Sequence, residues 1–138
     1  MRFSNSMEIA IPPERMWQLT VDVTRWPQWT PTMTRVEPLE PLAKGSRVRI
    51  KQPGQPALIW TVTTLEPPAL FQWETRLPWG TKMRGTHRVI PIANRCINHL
   101  ELELSGPGAW SLGVFCAPMF GLALWLENRG FRRAASRD

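Results

Sequence analysis

The chain has 138 residues, 43% of them hydrophobic, which suffices for one domain (residues 1–138) to form a core without disulfide staples. Seventeen lysines and arginines against 11 acidic residues leave a formal charge of +6, which suits phosphate or anionic lipid without establishing either as a partner. Eight tryptophans and no tyrosine exclude phenolic chemistry and favour broad apolar surface.

The opening residues, MRFSNSMEIAIPPE, are interrupted by Arg2, Glu8 and Glu14, so no secretory signal is read there and a cytoplasmic location is expected. From Arg2 to Ile11, Phe3, Met7, Ile9 and Ile11 share one parity, the pattern of a strand with one apolar face. Pro12-Pro13-Glu14 ends it, and proline at a first turn with an acidic neighbour predicts a short helix from Pro13 to about Val21 that buries Met16, Trp17 and Thr20. A second helical piece is expected over Thr24 to Trp29, with Asp22 as its cap.

From Thr32 onward the pattern is strand and turn: Thr32 to Glu37, Ser46 to Gln52, Ala57 to Leu65, Leu70 to Leu77, Thr81 to Ile90 and Arg95 to Leu104. The last four form two hairpins through four-residue loops, Glu66–Ala69 and Pro91–Asn94. In the first, Val62 is expected opposite Trp73, Trp60 opposite Thr75 and Leu58 opposite Leu77. In the second, His87 is expected opposite Asn98, Gly85 opposite Leu100 and Met83 opposite Leu102, with Arg84 and Lys82 facing Glu101 and Glu103 on the other side. Both registers separate apolar from charged residues, as expected of an antiparallel sheet with one wet face.

The inner face of such a sheet needs a cover. Leu104 to Leu126 carries no charge and is bracketed by Glu103 and Glu127. Within it Leu112, Phe115, Met119, Leu122 and Leu126 recur at steps of three and four, a helical stripe. Pro118 suggests a short leading turn near Trp110 followed by a main helix to about Ala134. By length alone the same run could span a bilayer, but its glycines and prolines, and the bare sheet face a span would leave, argue for a packed helix.

Several stretches then become familiar: Ile11-Pro12-Pro13-Glu14-Arg15-Met16-Trp17, Trp26-Pro27-Gln28-Trp29, Lys44-Gly45-Ser46-Arg47, Thr61 to Pro68, Gly85-Thr86-His87-Arg88 and His99-Leu100-Glu101. In this order and spacing the chain resembles the SRPBCC (START-like) superfamily, in particular its bacterial polyketide cyclase/dehydrase-like branch. The resemblance implies an α+β helix-grip fold: a curved seven-stranded antiparallel sheet wrapped around a long C-terminal helix, with two short helices after the first strand. It also implies a cavity between sheet and helix for a small hydrophobic molecule of lipid, polyketide or aromatic type.

The expected lining is Trp60, Val62, Trp73, Thr75, Met83, His87, Asn98 and Leu100 from the sheet, and Phe115, Met119 and Leu122 from the helix. His87 is the candidate for chemistry, since a neutral imidazole in an apolar pocket could polarise a carbonyl or relay a proton. No second acid or base accompanies it on that sheet face, so a polar anchor, or a core histidine satisfied by Asn98, competes with a catalytic role. His99 and Glu101 are expected to face outward. No metal or cofactor is expected: the two histidines take opposite faces and no cysteine pair has ligand spacing, so Cys96 and Cys116 read as plain buried thiols. The outer sheet face is basic but lacks interleaved aromatics, which argues against nucleic acid.

Three functions follow as expectations. The first is a carrier or sensor of a hydrophobic ligand. The second is a cyclase/dehydratase-type enzyme using His87. The third is an interaction protein whose apolar closing helix meets a second copy, as a homodimer, or a membrane surface peripherally.

Overall fold

The alternating stretches build one antiparallel sheet of seven strands: β1 (Arg2–Ile9), β2 (Arg35–Pro38), β3 (Arg47–Lys51), β4 (Leu58–Glu66), β5 (Leu70–Arg76), β6 (Lys82–Ile92) and β7 (Arg95–Ser105). The order across the sheet is β1-β7-β6-β5-β4-β3-β2, so consecutive strands pair as hairpins while β1 closes onto β7. This computed structural model describes residues 1–137. Two short helices, α1 (Pro13–Val21) and α2 (Trp26–Trp29), follow β1 with a single 3-10 turn at Val23–Arg25 between them, and α3 (Ala109–Arg137) closes the chain against the inner sheet face. Asp22, expected as a cap, makes no side-chain capping hydrogen bond; the Val23–Arg25 turn instead continues directly into α2.

Sheet faces follow the sequence alternation. Val48, Ile50, Trp60, Val62, Phe71 and Trp73 point into the core, while Arg47, Arg49 and Arg76 point out. Outer charges meet across strands: Arg84 bonds Glu74 at 2.7 Å, and Arg2 bonds Glu103 at 2.9 Å. The first hairpin keeps the expected Val62–Trp73 pair, but nearer its turn Leu65 faces Phe71 and Glu66 faces Leu70; an irregularity between Val62 and Thr64 absorbs the extra residue.

The second hairpin differs from expectation by two residues. Ala93-Asn94 alone make the turn, with Ala93 at φ 52°, so His87 lies opposite Leu100, Val89 opposite Asn98, Gly85 opposite Leu102 and Arg84 opposite Glu103. Pro91 does not end β6 because β6 runs past β5: beyond Val89, whose N–H reaches Ala69 O, the strand pairs only with β7. A two-residue slip preserves parity, so each side chain keeps its face.

The larger correction concerns α3, which is one unbroken helix with Pro118 inside it rather than a leading turn and a later helix. Pro118 is exposed, and the carbonyl of Val114, which it leaves without its i+4 donor, sits on an exposed residue where water can serve it. The buried stripe is also rotated. Gly113, Leu124, Glu127, Asn128, Phe131, Ala134 and Ala135 are buried and Phe120 packs on Phe3, with ring centres 5.3 Å apart. Of the expected stripe, Phe115 is 89% exposed, and Met119 and Leu122 are about half exposed.

Candidate functional site

Between the inner sheet face and α3 lies a cavity of about 540 Å³. Its wall is made by Trp60 of β4, Trp73 of β5, Met83 and His87 of β6, Leu100 of β7, and Leu112, Met119, Leu122 and Glu127 of α3. The lining residues that reach solvent mark the mouth: Pro53 and Gly54 in the β3–β4 loop, Trp79 in the β5–β6 loop, and Met119 and Leu122 on α3. Trp60, Trp73, His87, Leu100 and Glu127 are buried and mark the inner end. Gly85 makes room there, since a Cβ on it would stand 2.9 Å from the Trp73 indole nitrogen.

Of the residues expected to line the cavity, Trp60, Trp73, Met83, His87, Leu100, Met119 and Leu122 are brought together on its wall. Val62, Thr75, Asn98 and Phe115 are not. Val62 is packed in the core, and the Thr75 hydroxyl donates to Ile59 O at 2.8 Å. Asn98 belongs to a buried amide cluster instead: its Nδ2 donates to Asn128 Oδ1 at 2.9 Å, and Asn128 Nδ2 donates to Asn98 O at 3.1 Å and Asn5 Oδ1 at 2.8 Å. Asn98 therefore ties β7 and β1 to α3 rather than satisfying His87. Phe115 points to solvent because the helix turns its other side to the sheet.

His87 sits in an aromatic box, its ring 4.8 Å from Trp26, 5.9 Å from Phe71 and 6.0 Å from Phe131. Burial lowers its pKa to about 3, so the imidazole is neutral at physiological pH. Among the described residues its Nδ1 has no hydrogen-bond partner, and its Nε2 stands 3.8 Å from Glu127 Oε1, beyond hydrogen-bond reach. Glu127 is itself buried, and desolvation raises its carboxyl to about 7. Both groups are thus predominantly uncharged below neutrality, since a buried ion pair would have to recover the desolvation of two charges. Chemically this is a proton donor and a proton acceptor side by side at the closed end of an apolar cavity.

Glu127 is a candidate site residue that the strand pattern does not reveal, since it arrives from the helix rather than the sheet face. The signal exists in the sequence: Phe120, Leu124, Glu127, Phe131 and Ala134 are spaced by four, three, four and three, a second helical stripe that places Glu127 inward. His99 and Glu101 pair with each other on β7 at 3.0 Å, and His99 also bonds Ser6 at 2.5 Å, which gives them a role in joining β7 to β1. Both cysteines are free thiols; Cys96 is buried, and Cys116 is half-buried on the cavity wall.

Residues 1–135 match the family described as polyketide cyclase / dehydrase and lipid transport. The chain is 27% identical over 111 residues to Toxin Rv0910 of Mycobacterium tuberculosis, covering 77% of each chain. Its fold is similar to that of TTHA0849 from Thermus thermophilus, with a TM-score of 0.78 at 15% identity over 99% of this chain and 98% of that one. It is also similar to the di-domain ARO/CYC StfQ from the steffimycin biosynthetic pathway, with a TM-score of 0.77 at 12% identity, covering 99% of this chain and 50% of StfQ.

Proposed function

The chain belongs to the polyketide cyclase/dehydrase and lipid-transport family of the SRPBCC superfamily, and from that premise we propose that it holds a small hydrophobic molecule between sheet and α3, as a cytoplasmic carrier or sensor. The observation that carries this reading is the cavity itself: about 540 Å³ lined by tryptophan, methionine and leucine side chains, with a neutral imidazole and a carboxyl of raised pKa at its inner end. Pockets of this size, mostly apolar with a few convergent polar groups, are what small-molecule sites look like. Nothing in a packed core requires such a space, because interiors otherwise fill to crystal-like density.

The experiment is native mass spectrometry of gently purified protein with solvent extraction, followed by titration with acyl and aromatic probes read by quenching of the tryptophan emission. Trp60, Trp73 and Trp79 lie on the wall, so their share of the emission responds to occupancy, and a background carrying Trp110→Leu and Trp125→Leu removes the response of the exposed helix face. A co-purifying small molecule or saturable quenching is expected. An empty protein that takes up none of the probes overturns the reading.

A second reading rests on the outer side of α3, where Trp110 is 72% exposed and Phe115 89%, with Val114, Met119, Leu122 and Trp125 beside them. An apolar face of this extent is unusual on a free monomer, which favours an interaction surface for a second copy or a bilayer. Light scattering and vesicle flotation test it: self-association or vesicle binding that is lost in Trp125→Glu supports it, and a monomer that ignores vesicles refutes it.

A further inference from the structure

We infer that the inner end of the cavity is a head-group site for an uncharged oxygen of the ligand, a ketone, ester or lactone carbonyl, with Glu127 as the hydrogen-bond donor and His87 beside it. The inference rests on the reading of the cavity as a hydrophobic ligand site and adds to it the chemical class of the ligand's polar end.

Two titratable groups, His87 and Glu127, meet at this end without a hydrogen bond between them. The Glu127 carboxyl lies on the cavity wall with Oε1 3.8 Å from His87 Nε2, beyond hydrogen-bond reach, and it makes no hydrogen bond among the described residues. Buried polar groups in folded proteins are nearly always satisfied, and leaving one unmade costs its full desolvation. Trp60 Nε1, His87 Nδ1 and Asn98 Oδ1 also lack partners among the described residues, but these atoms are fully buried in protein and present no surface to the cavity. A ligand oxygen that accepts a hydrogen bond from the Glu127 carboxyl completes this unpaired group on the wall.

The wall also says what that atom is not. Among the described residues neither lysine nor arginine lines the cavity, so a carboxylate or phosphate head would be buried without a counter-charge. The other titratable groups on the wall are Glu101, engaged by His99 at 3.0 Å and Arg2 at 3.7 Å, and Cys116. Around the pair itself, β6 contributes His87, while α2 and α3 contribute the non-titrating rings of Trp26 and Phe131. An ammonium head would need Glu127 ionised, which its burial opposes; a carbonyl oxygen needs it protonated, which burial favours. Affinity for a carbonyl ligand therefore falls as pH rises through about 7, where Glu127 loses its proton.

The test compares four probes of one chain length, 2-undecanone, undecane, undecanoate and undecylamine, by tryptophan quenching at pH 6 and pH 8.5. At pH 6 the ketone is expected to bind roughly tenfold more tightly than the alkane, the worth of one buried hydrogen bond, and to lose most of that advantage at pH 8.5. In Glu127→Leu the advantage disappears while undecane binding persists; in Glu127→Gln, whose amide still donates, it remains at both pH values. Equal binding of ketone and alkane, a preference for acid or amine, or an advantage that survives Glu127→Leu overturns the head-group site while leaving the cavity reading intact. If undecane also fails to bind, the cavity reading falls and the head-group site falls with it. Circular dichroism confirms that both variants are folded.

Discussion

The two halves of α3 invert what their sequences advertise. The first half, Ala109 to Leu126, is free of charge, yet Trp110, Val114, Phe115, Met119, Leu122 and Trp125 are exposed. The second half, Glu127 to Arg137, has four arginines and a glutamate, yet Glu127, Asn128, Gly130, Phe131, Ala134 and Ala135 are buried. Contacts explain the difference. The second half is locked by directional bonds: Asn128 to Asn5 and Asn98, Arg132 to Glu8 O at 3.0 Å and Arg133 to Trp29 O at 3.2 Å. The first half is buried only at Ala109, at Gly113 beside Met1 and at Leu124, with Phe120 packed on Phe3 of β1, and most of its other residues line the cavity or face outward. Hydropathy measures what a segment tolerates; burial is decided by what the opposing surface offers, and the sheet offers amide partners at one end and an open cavity at the other.

The largest test of this contrast uses one residue type twice. Phe131 is 2% exposed and packs against Trp26, Trp29 and His87, with ring centres 5.5, 5.8 and 6.0 Å away. Phe131→Ala is expected to cost about 3–5 kcal/mol through lost transfer energy and the cavity left behind. Phe115→Ala, one side of the same helix and four turns away, should change stability by less than about 0.5 kcal/mol. Urea unfolding followed by circular dichroism gives both; similar losses at the two sites would mean that the first half is packed on something.

Next in size is a pH effect that the His87–Glu127 pair hides in the native protein. Glu127 has a folded pKa of about 7 against an ordinary 4.5, so the folded state holds the proton longer and its contribution to stability falls as pH rises from about 4.5 to about 7. His87 has a folded pKa of about 3 against 6.5, so its contribution rises with pH from about 3 to about 6.5. Between about 4.5 and 6.5 the two slopes oppose and largely cancel. Relative to the native protein, Glu127→Gln should gain a positive slope in that window and His87→Leu a negative one, each approaching 1.4 kcal/mol per pH unit. Unfolding midpoints at half-unit intervals check it, and parallel curves for all three proteins would show that neither group is held uncharged.

How far these features were legible from sequence depends on whether polarity marked a face. In β3 to β7 charged and apolar residues alternate, so each face was readable, and even the two-residue slip at Ala93-Asn94 left His87 inward. In Leu104–Leu126 no polar side chain larger than serine distinguishes one side from another, so two stripes at helical spacing competed. The stripe through Leu112, Phe115 and Leu122 is as apolar as the one through Phe120 and Leu124, and only the buried Glu127 and Asn128 beyond the run show which faces the sheet. Glu127 was hard to see for the same reason: as the charge bounding an apolar run it looks like a solvent-side boundary, whereas its burial follows from the cavity end it closes.

The smallest test sets two glycines of α3 against each other. At Gly130 a Cβ would run into the backbone carbonyl of Trp29 and stand 3.1 Å from Thr30 Cβ, so α2 can approach the helix only because no side chain is there. At Gly121 a Cβ would meet nothing within 4 Å. Alanine is favoured over glycine in a helix interior by about 1 kcal/mol at either position. At Gly130 that gain is outweighed, because a backbone carbonyl cannot swing aside, and overpacking costs about 1–3 kcal/mol or more; a net loss of roughly 1–2 kcal/mol is expected. At Gly121 nothing opposes the gain, so Gly121→Ala should stabilise by about 0.5–1 kcal/mol. Denaturant midpoints at unchanged m-value measure both. A Gly121→Ala variant that loses stability would place an unseen neighbour against the first half of α3, and the exposed face would then have its partner within reach of identification by cross-linking at that position.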